Sequence, residues 1–124
     1  MNSNDYQFGF EKLIVWKEAR EFIQIIYDMT DEFPEKEKFG LSSQIQRAAV
    51  SIAANIAEGS SRFSRKDFAR YLQISYGSSM EVLSHAYVAF DRKYISTDDL
   101  KTVCENVRRI SFKINSLSKS LALK

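Results

Sequence analysis

The sequence contains few residues that interrupt helices and few that could form disulfide bonds or metal sites. Its 124 residues include one proline, four glycines, one cysteine and one histidine. Because helix-breaking residues are scarce, long helices are favoured over a fold of short strands and turns. The single cysteine, Cys104, excludes an internal disulfide and a multi-cysteine metal site, and it fits a reducing compartment.

Several motifs that carry chemistry are also missing. The chain has no phosphate-binding GxxxxGK(S/T) loop, no GxGxxG turn and no GxSxG nucleophile elbow. The lone His85 has no partner at H-x-x-x-H or E-x-x-H spacing. We therefore expect no metal, no cofactor and no enzymatic activity. A small-molecule site would instead require a pocket, with Glu81, His85 and Tyr87 as candidate lining residues.

Membrane and export signals are absent from the pattern as well. No apolar run approaches the ~20 residues that span a bilayer. The N-terminal MNSNDYQFGF has no basic region followed by an apolar one, as a signal peptide would. We expect a cytoplasmic protein with no membrane partner.

Apolar residues recur every three or four positions and predict four helices within a single domain, residues 1–124. The predicted helices span roughly residues 12–31, 41–58, 64–92 and 97–121. Pro34 follows the first helix, Ser64 can cap the third, and Gly59 is expected to end the second in a left-handed conformation. The fourth carries a heptad pattern: Leu100, Val103, Val107, Ile110, Ile114, Leu117 and Leu121. An all-α, antiparallel up-down-up-down four-helix bundle is therefore predicted.

The third helix is apolar on two sides, which indicates a central helix or one shared with a second subunit. One seam includes Leu72 and Val82, and the other comprises Tyr76, Met80, Leu83, Tyr87 and Phe90. Gly77 lies within this helix, where glycine reduces helix stability by about 1 kcal/mol relative to alanine. We expect a close helix crossing to offset that cost.

A polar stripe of small residues follows the second and third helices. It comprises Gln44, Arg47, Ser51, Asn55 and Glu58 on one helix and Arg70, Gln73, Gly77, Ser78 and Glu81 on the other. Antiparallel packing would bring Arg47 toward Glu81, and Glu58 toward Arg62 or Arg70. A solvated face would be richer in lysine and glutamate, so we favour a partly buried polar seam within the bundle or between subunits over a solvated face.

Charge is distributed unevenly along the chain. Residues 1–40 carry five basic and nine acidic side chains, whereas residues 101–124 carry six basic and one acidic. This polarity suits self-assembly or contact with an anion. The candidate nucleic-acid-binding residues are Arg62, Arg65, Lys66, Arg70, Arg108, Arg109, Lys113 and Lys119.

The stripe contains a pattern that resembles the bacterial 23S ribosomal RNA intervening-sequence protein family, also called the four-helix-bundle protein family. Matching residues are Phe33–Pro34, Glu37, Gly40–Leu41, Gln44, Arg47–Ala48, Ser51–Ile52, Asn55 to Gly59, Arg62, Gly77–Ser78 and Glu81. Leu13, Val15 and Trp16 match an opening element, and the resemblance covers roughly residues 10–120. Ala53 replaces a proline that is usual in the family, so a straighter second helix is expected.

The resemblance implies a bundle that assembles as a ring-like homopentamer, with no established enzymatic activity. Family genes often lie in inserts within ribosomal RNA genes, and a relative is an accessory protein of diversity-generating retroelements that resembles a basic, nucleic-acid-binding barrel. Our leading hypothesis is a non-catalytic homo-oligomer that binds RNA or DNA as an accessory or scaffold. The alternative is a protein–protein adaptor ring with no nucleic-acid role.

Overall fold

The computed structural model describes residues 8–122 and contains only helices among them. The helices are α1 (Ile14–Thr30), α2 (Leu41–Ser60), α3 (Arg65–Asp91) and α4 (Thr97–Ala122), with 3-10 turns at Gly9–Lys12 and Glu35–Glu37. The predicted all-α class with four helices is confirmed. Residues 1–7, which hold most of the N-terminal stretch searched for a signal peptide, lie outside the described residues, as do residues 123–124.

Each helix packs against the next, and α1 also contacts α4. Ser51 contacts Ser78, and Glu58 contacts Tyr71, so α2 and α3 run in opposite directions. This arrangement fits the predicted up-down-up-down bundle. No helix in the described chain is both long and apolar enough to cross a bilayer.

The core is formed by one apolar stripe from each helix. Phe22 and Ile26 of α1 are fully buried, and so are Ile45, Ile52 and Ile56 of α2. Leu72, Val82, Ala86 and Ala89 come from α3, and Val103, Val107, Ile110 and Ile114 from α4. The α4 stripe is the middle of its predicted heptad seam, which shows that the sequence period marks the buried face.

The second apolar seam of α3 is only partly covered by the chain, because Tyr76 and Leu83 pack against the core and the other three residues do not. Met80, Tyr87 and Phe90 are 37%, 49% and 36% exposed. The prediction of a close helix crossing at Gly77 is wrong within one subunit. A Cβ added there would meet no atom within 4 Å in the described part of the chain. Gly77 lies on the outer side of α3, since the helix packs through Ser75, Ser78 and Val82.

Gly59 does not end α2, contrary to the sequence-based expectation. The helix continues to Ser60, and no glycine among residues 8–122 has a positive φ. Gly59 is instead buried where α3 crosses the end of α2, and an added Cβ would lie 2.7 Å from Cβ of Tyr71. The position requires glycine because the helices approach closely there.

Ser64 caps α3 as predicted, and Ser96 caps α4. The backbone N–H of Asp67 donates to Oγ of Ser64 at 3.0 Å. At α4, the N–H of Asp99 donates to Oγ of Ser96 at 3.0 Å, and the N–H of Ser96 donates to Oδ2 of Asp99 at 3.3 Å. These bonds satisfy backbone donors that would otherwise lack partners at a helix start.

The α1–α2 connection is held by the carboxylate of Glu37. Its Oε1 accepts the backbone N–H of Leu41 at 3.1 Å, and its Oε2 accepts the hydroxyl of Tyr94 at 2.9 Å. The Tyr94 ring also packs on Phe33, with ring centroids 5.4 Å apart. The backbone bond from Leu41, followed by the Tyr94 bond, lowers the pKa of Glu37 below its ordinary value of 4.5.

This lowered pKa predicts a pH-dependent contribution of Glu37 to stability. Because the pKa of Glu37 is lower in the folded state, its ionised carboxylate stabilises the fold above pH 4.5. That contribution is lost as the pH falls through the folded-state pKa. We expect Glu37→Gln to reduce the urea midpoint near neutral pH, with the deficit shrinking on acidification. Glu35→Gln, in the same turn, is the control. A Glu37→Gln deficit that stays constant with pH would contradict this assignment.

Candidate nucleic-acid interface

The family-motif residues Glu58 and Arg62 meet Tyr71 at the α2–α3 corner. Nη2 of Arg62 donates to Oε2 of Glu58 and to the hydroxyl of Tyr71, both at 2.6 Å, and that hydroxyl donates to the same carboxylate oxygen at 3.2 Å. The Arg62 guanidinium also lies 4.7 Å from the Tyr71 ring centroid. The expected pairing of Glu58 with Arg62 is thus confirmed, and it fixes the turn into α3.

The polar seam continues from this corner along the α2–α3 contact. Oγ of Ser51 lies 2.8 Å from Oγ of Ser78, and Nδ2 of Asn55 donates to Oγ and to the backbone oxygen of Ser51, both at 2.9 Å. The fully buried Ser75 donates to the backbone oxygen of Ile52 at 2.8 Å. Short side chains with local partners let the two helices approach closely.

Other expected seam contacts do not form within the chain. Arg47 is exposed and makes no ion pair with Glu81, which instead lies 3.2 Å from Nε2 of His85. Arg70 lies 3.7 Å from the carboxylate of Asp67 rather than contacting Glu58. Gln44, Gln73 and Gly77 are exposed. The seam is therefore partly buried near Ser51, Asn55 and Ser78, and solvated on either side.

The residues considered for a small-molecule pocket do not come together as a cluster. His85 pairs with Glu81, whereas Tyr87 lies beside Cys104 and Arg108 of α4. Two helical positions separated by two residues point about 200° apart, which explains the separation of His85 from Tyr87. A hydrogen bond with Cys104 raises the pKa of Tyr87, partly opposed by the Arg108 charge. Residues 8–122 contain no cluster of histidine, cysteine or carboxylate side chains suited to a metal ion.

The start of α3 and the end of α4 form a groove whose lining combines basic and polar side chains with the apolar residues Ala69, Leu72, Tyr76 and Ile114. Its volume is about 620 Å³, and its lining includes Lys66, Arg70 and Gln73 of α3 with Asn115 and Ser118 of α4. Asp67 is the acidic residue in the lining. Antiparallel packing of α3 on α4 thus places the basic start of α3 beside the last turns of α4, which contribute Asn115 and Ser118 but no cation to the groove.

The remaining candidate basic residues differ in their position and exposure. Glu18 of α1 accepts a hydrogen bond from Nζ of Lys113 at 2.6 Å and pairs with Nε of Arg109 at 3.0 Å. Those two cations are thus held against α1. Arg108 and Lys119 are exposed on the outer face of α4, and Arg65 is exposed at the start of α3.

Phe63 belongs to this end of the bundle, although the sequence patterns did not single it out. It lies in the turn between α2 and α3 with its side chain fully solvent-exposed, at 107% of the reference area. Arg62, Arg65 and Lys66 surround it in the sequence. The sequence did contain a signal for it, because Phe63 is an apolar residue in a basic turn and belongs to no helical apolar pattern.

This fold, with its polar α2–α3 seam, defines a class of all-α four-helix proteins. The chain belongs to the 23S rRNA-intervening sequence protein family, whose model matches residues 11–116. The resemblance drawn from the motif residues is thereby confirmed.

A solved structure supports the same assignment. The chain is similar to a protein of unknown function from the S23 ribosomal protein family of Bacteroides thetaiotaomicron, known from a crystal structure. The two are 27% identical with a TM-score of 0.77, and the match covers 86% of this chain and 99% of the other. No curated protein matches the sequence.

Proposed function

We propose that this protein is a cytoplasmic, non-catalytic bundle that binds RNA or DNA as an accessory or scaffold. The observation that carries the proposal is the groove between α3 and α4, with Lys66 and Arg70 on one wall. Phosphate contacts by such cations supply most of the affinity of nucleic-acid binding that does not depend on sequence. The exposed carboxylates of α1, Glu21 and Asp28, do not line this groove.

A gel-shift titration with structured RNA at low salt tests the proposal. We expect binding at micromolar protein, with affinity falling steeply as salt rises. The double variant Lys66→Gln/Arg70→Gln should bind more weakly and show a smaller salt slope. Lys36→Gln/Lys38→Gln removes the same charge at the opposite end of the bundle and serves as the matched control. Absence of binding, or equal loss in both variants, would contradict the proposal.

We further propose that the protein self-associates, as the family resemblance to a ring-like homopentamer implies. The supporting observation is the outer side of α3, where Gly77 lies exposed one turn from Ile74 and on the same side as Val88, which are 47% and 46% exposed. A glycine costs about 1 kcal/mol in a helix interior, and nothing in the described chain offsets that cost. Close approach by a second copy would offset it.

Light scattering tests this second proposal. The wild-type protein should have a mass five times that of the 14.3 kDa chain. Gly77→Leu adds a good helix former that blocks close approach, so it should remain helical by circular dichroism and give a lower mass. A wild-type monomer would rule out the assembly.

The adaptor alternative is supported by exposed carboxylates on α1 and in the turn after it. Glu21, Asp28, Asp31 and Glu32 are exposed there and could meet a basic protein surface. Co-purification of a protein partner, lost on neutralising these carboxylates, would favour the adaptor role over nucleic-acid binding.

A further inference from the structure

We propose that the α2–α3 end of the bundle binds single-stranded nucleic acid, with Phe63 stacking on a base while the Lys66–Arg70 groove holds neighbouring phosphates. The inference rests on the proposed nucleic-acid function. It adds the class of strand and a base-contacting residue.

Phe63 is presented on a well-ordered turn. Before it, the backbone N–H of Arg62 donates to the oxygen of Gly59 at 3.1 Å, and the Arg62 side chain is held by Glu58 and Tyr71. After it, Ser64 caps α3. A phenyl ring fully in water gains free energy when a flat partner covers it. Because the backbone on both sides of Phe63 is already held, little backbone entropy is lost when the ring makes such a contact.

The surroundings of Phe63 favour an anionic partner. Lys66 follows it by three residues, so their Cα atoms lie at most about 11 Å apart. Beyond Lys66, the groove of about 620 Å³ offers the Arg70 guanidinium and the polar side chains of Gln73, Asn115 and Ser118. Its other lining residues include the apolar Leu72, Tyr76 and Ile114, which can contact the faces of sugars or bases. Arg70 keeps 65% of its side chain exposed despite its long contact with Asp67. The first turn of α3 adds the positive end of a helix dipole.

Stacking distinguishes a single strand from a duplex. The bases of a duplex are paired and stacked on one another, so an exposed ring meets mainly the sugar–phosphate backbone. A single strand leaves its bases free to stack on aromatic side chains, and the contact tolerates any sequence because each base has a flat face. An exposed phenylalanine next to a basic groove therefore fits a single strand.

Fluorescence anisotropy with labelled single strands of roughly 12 nucleotides, oligo(U) and oligo(dT), tests the proposal against a hairpin duplex of similar length. We expect the full-length protein to prefer the single strands. Phe63→Ala should weaken single-strand binding by roughly 5- to 150-fold and leave duplex binding nearly unchanged. The matched control is Phe39→Ala, which removes a ring that is 89% exposed at the opposite end of the bundle.

The outcomes separate this inference from the proposed function. Equal binding of duplex and single strand, or an unchanged affinity of Phe63→Ala, would overturn the inference while leaving nucleic-acid binding in place. No binding of any nucleic acid by the wild-type protein would overturn both. Phe63-dependent binding to vesicles of mixed phosphatidylcholine and phosphatidylserine, without single-strand binding, would assign the turn to a membrane surface and also overturn it.

Discussion

Replacing Phe22 with alanine is expected to lower the free energy of unfolding by about 3–5 kcal/mol. Phe22 is the largest of the fully buried side chains, and it fixes α1 in the core. Its truncation removes apolar contacts and leaves a cavity that the surrounding helices can fill only in part. Domains of this kind have total stabilities of about 5–15 kcal/mol, so Phe22→Ala should unfold at a much lower temperature or urea concentration.

Urea unfolding followed by circular dichroism measures this effect. Phe112→Ala is the matched control, because the Phe112 ring is 70% exposed on α4. The control should change stability by less than about 0.5 kcal/mol. Similar losses in the two variants would mean that α1 is not packed on the core as described.

The second large effect is expected for Gly59→Ala. In an open helix this change stabilises by about 1 kcal/mol. Here the new methyl group would lie 2.7 Å from Cβ of Tyr71 and 3.0 Å from Cδ1 of Phe68. The first of these atoms is tied to the α3 backbone, so relief requires the two helices to move apart. Such overpacking typically costs about 1–3 kcal/mol.

Thermal unfolding of Gly59→Ala and Gly9→Ala, measured side by side, tests whether the loss of stability in Gly59→Ala comes from the steric clash. A Cβ added to Gly9 meets no atom within 4 Å, so that variant should resemble the wild type. We expect a lower Tm for Gly59→Ala, and separation of α2 from α3 should also weaken the Glu58–Arg62–Tyr71 contacts. A Gly59→Ala protein as stable as the wild type would show that α3 does not pack this closely on α2.

The sequence was informative where structure depends on local spacing. The predicted helix ends fall within about two residues of those observed, and the buried α4 residues Val103, Val107, Ile110 and Ile114 follow the predicted seam. Both depend on interactions between positions three or four apart, which a periodic pattern records. The capping serine Ser64 could be identified for the same reason.

Contacts between distant segments were less predictable. Lys113 and Arg109 belong to a basic tail in the sequence, yet Glu18, 95 residues from Lys113, holds them against α1. Arg47 and Glu81 lie on complementary lines, but side-chain direction leaves Arg47 in solvent and pairs Glu81 with His85. Such pairings depend on helix rotation and register, which small changes in packing decide.

The amino-acid sequence by itself determined that this chain forms four helices, which face of each is apolar, and to which family it belongs. Only the tertiary structure decided that Gly59 is needed for close packing rather than for a left-handed cap, and that Phe63 stands exposed beside the Lys66–Arg70 groove. Helical periodicity reflects neighbours within one or two turns. The candidate interface instead depends on antiparallel packing, which brings together side chains from α3 and α4 that are about 50 residues apart.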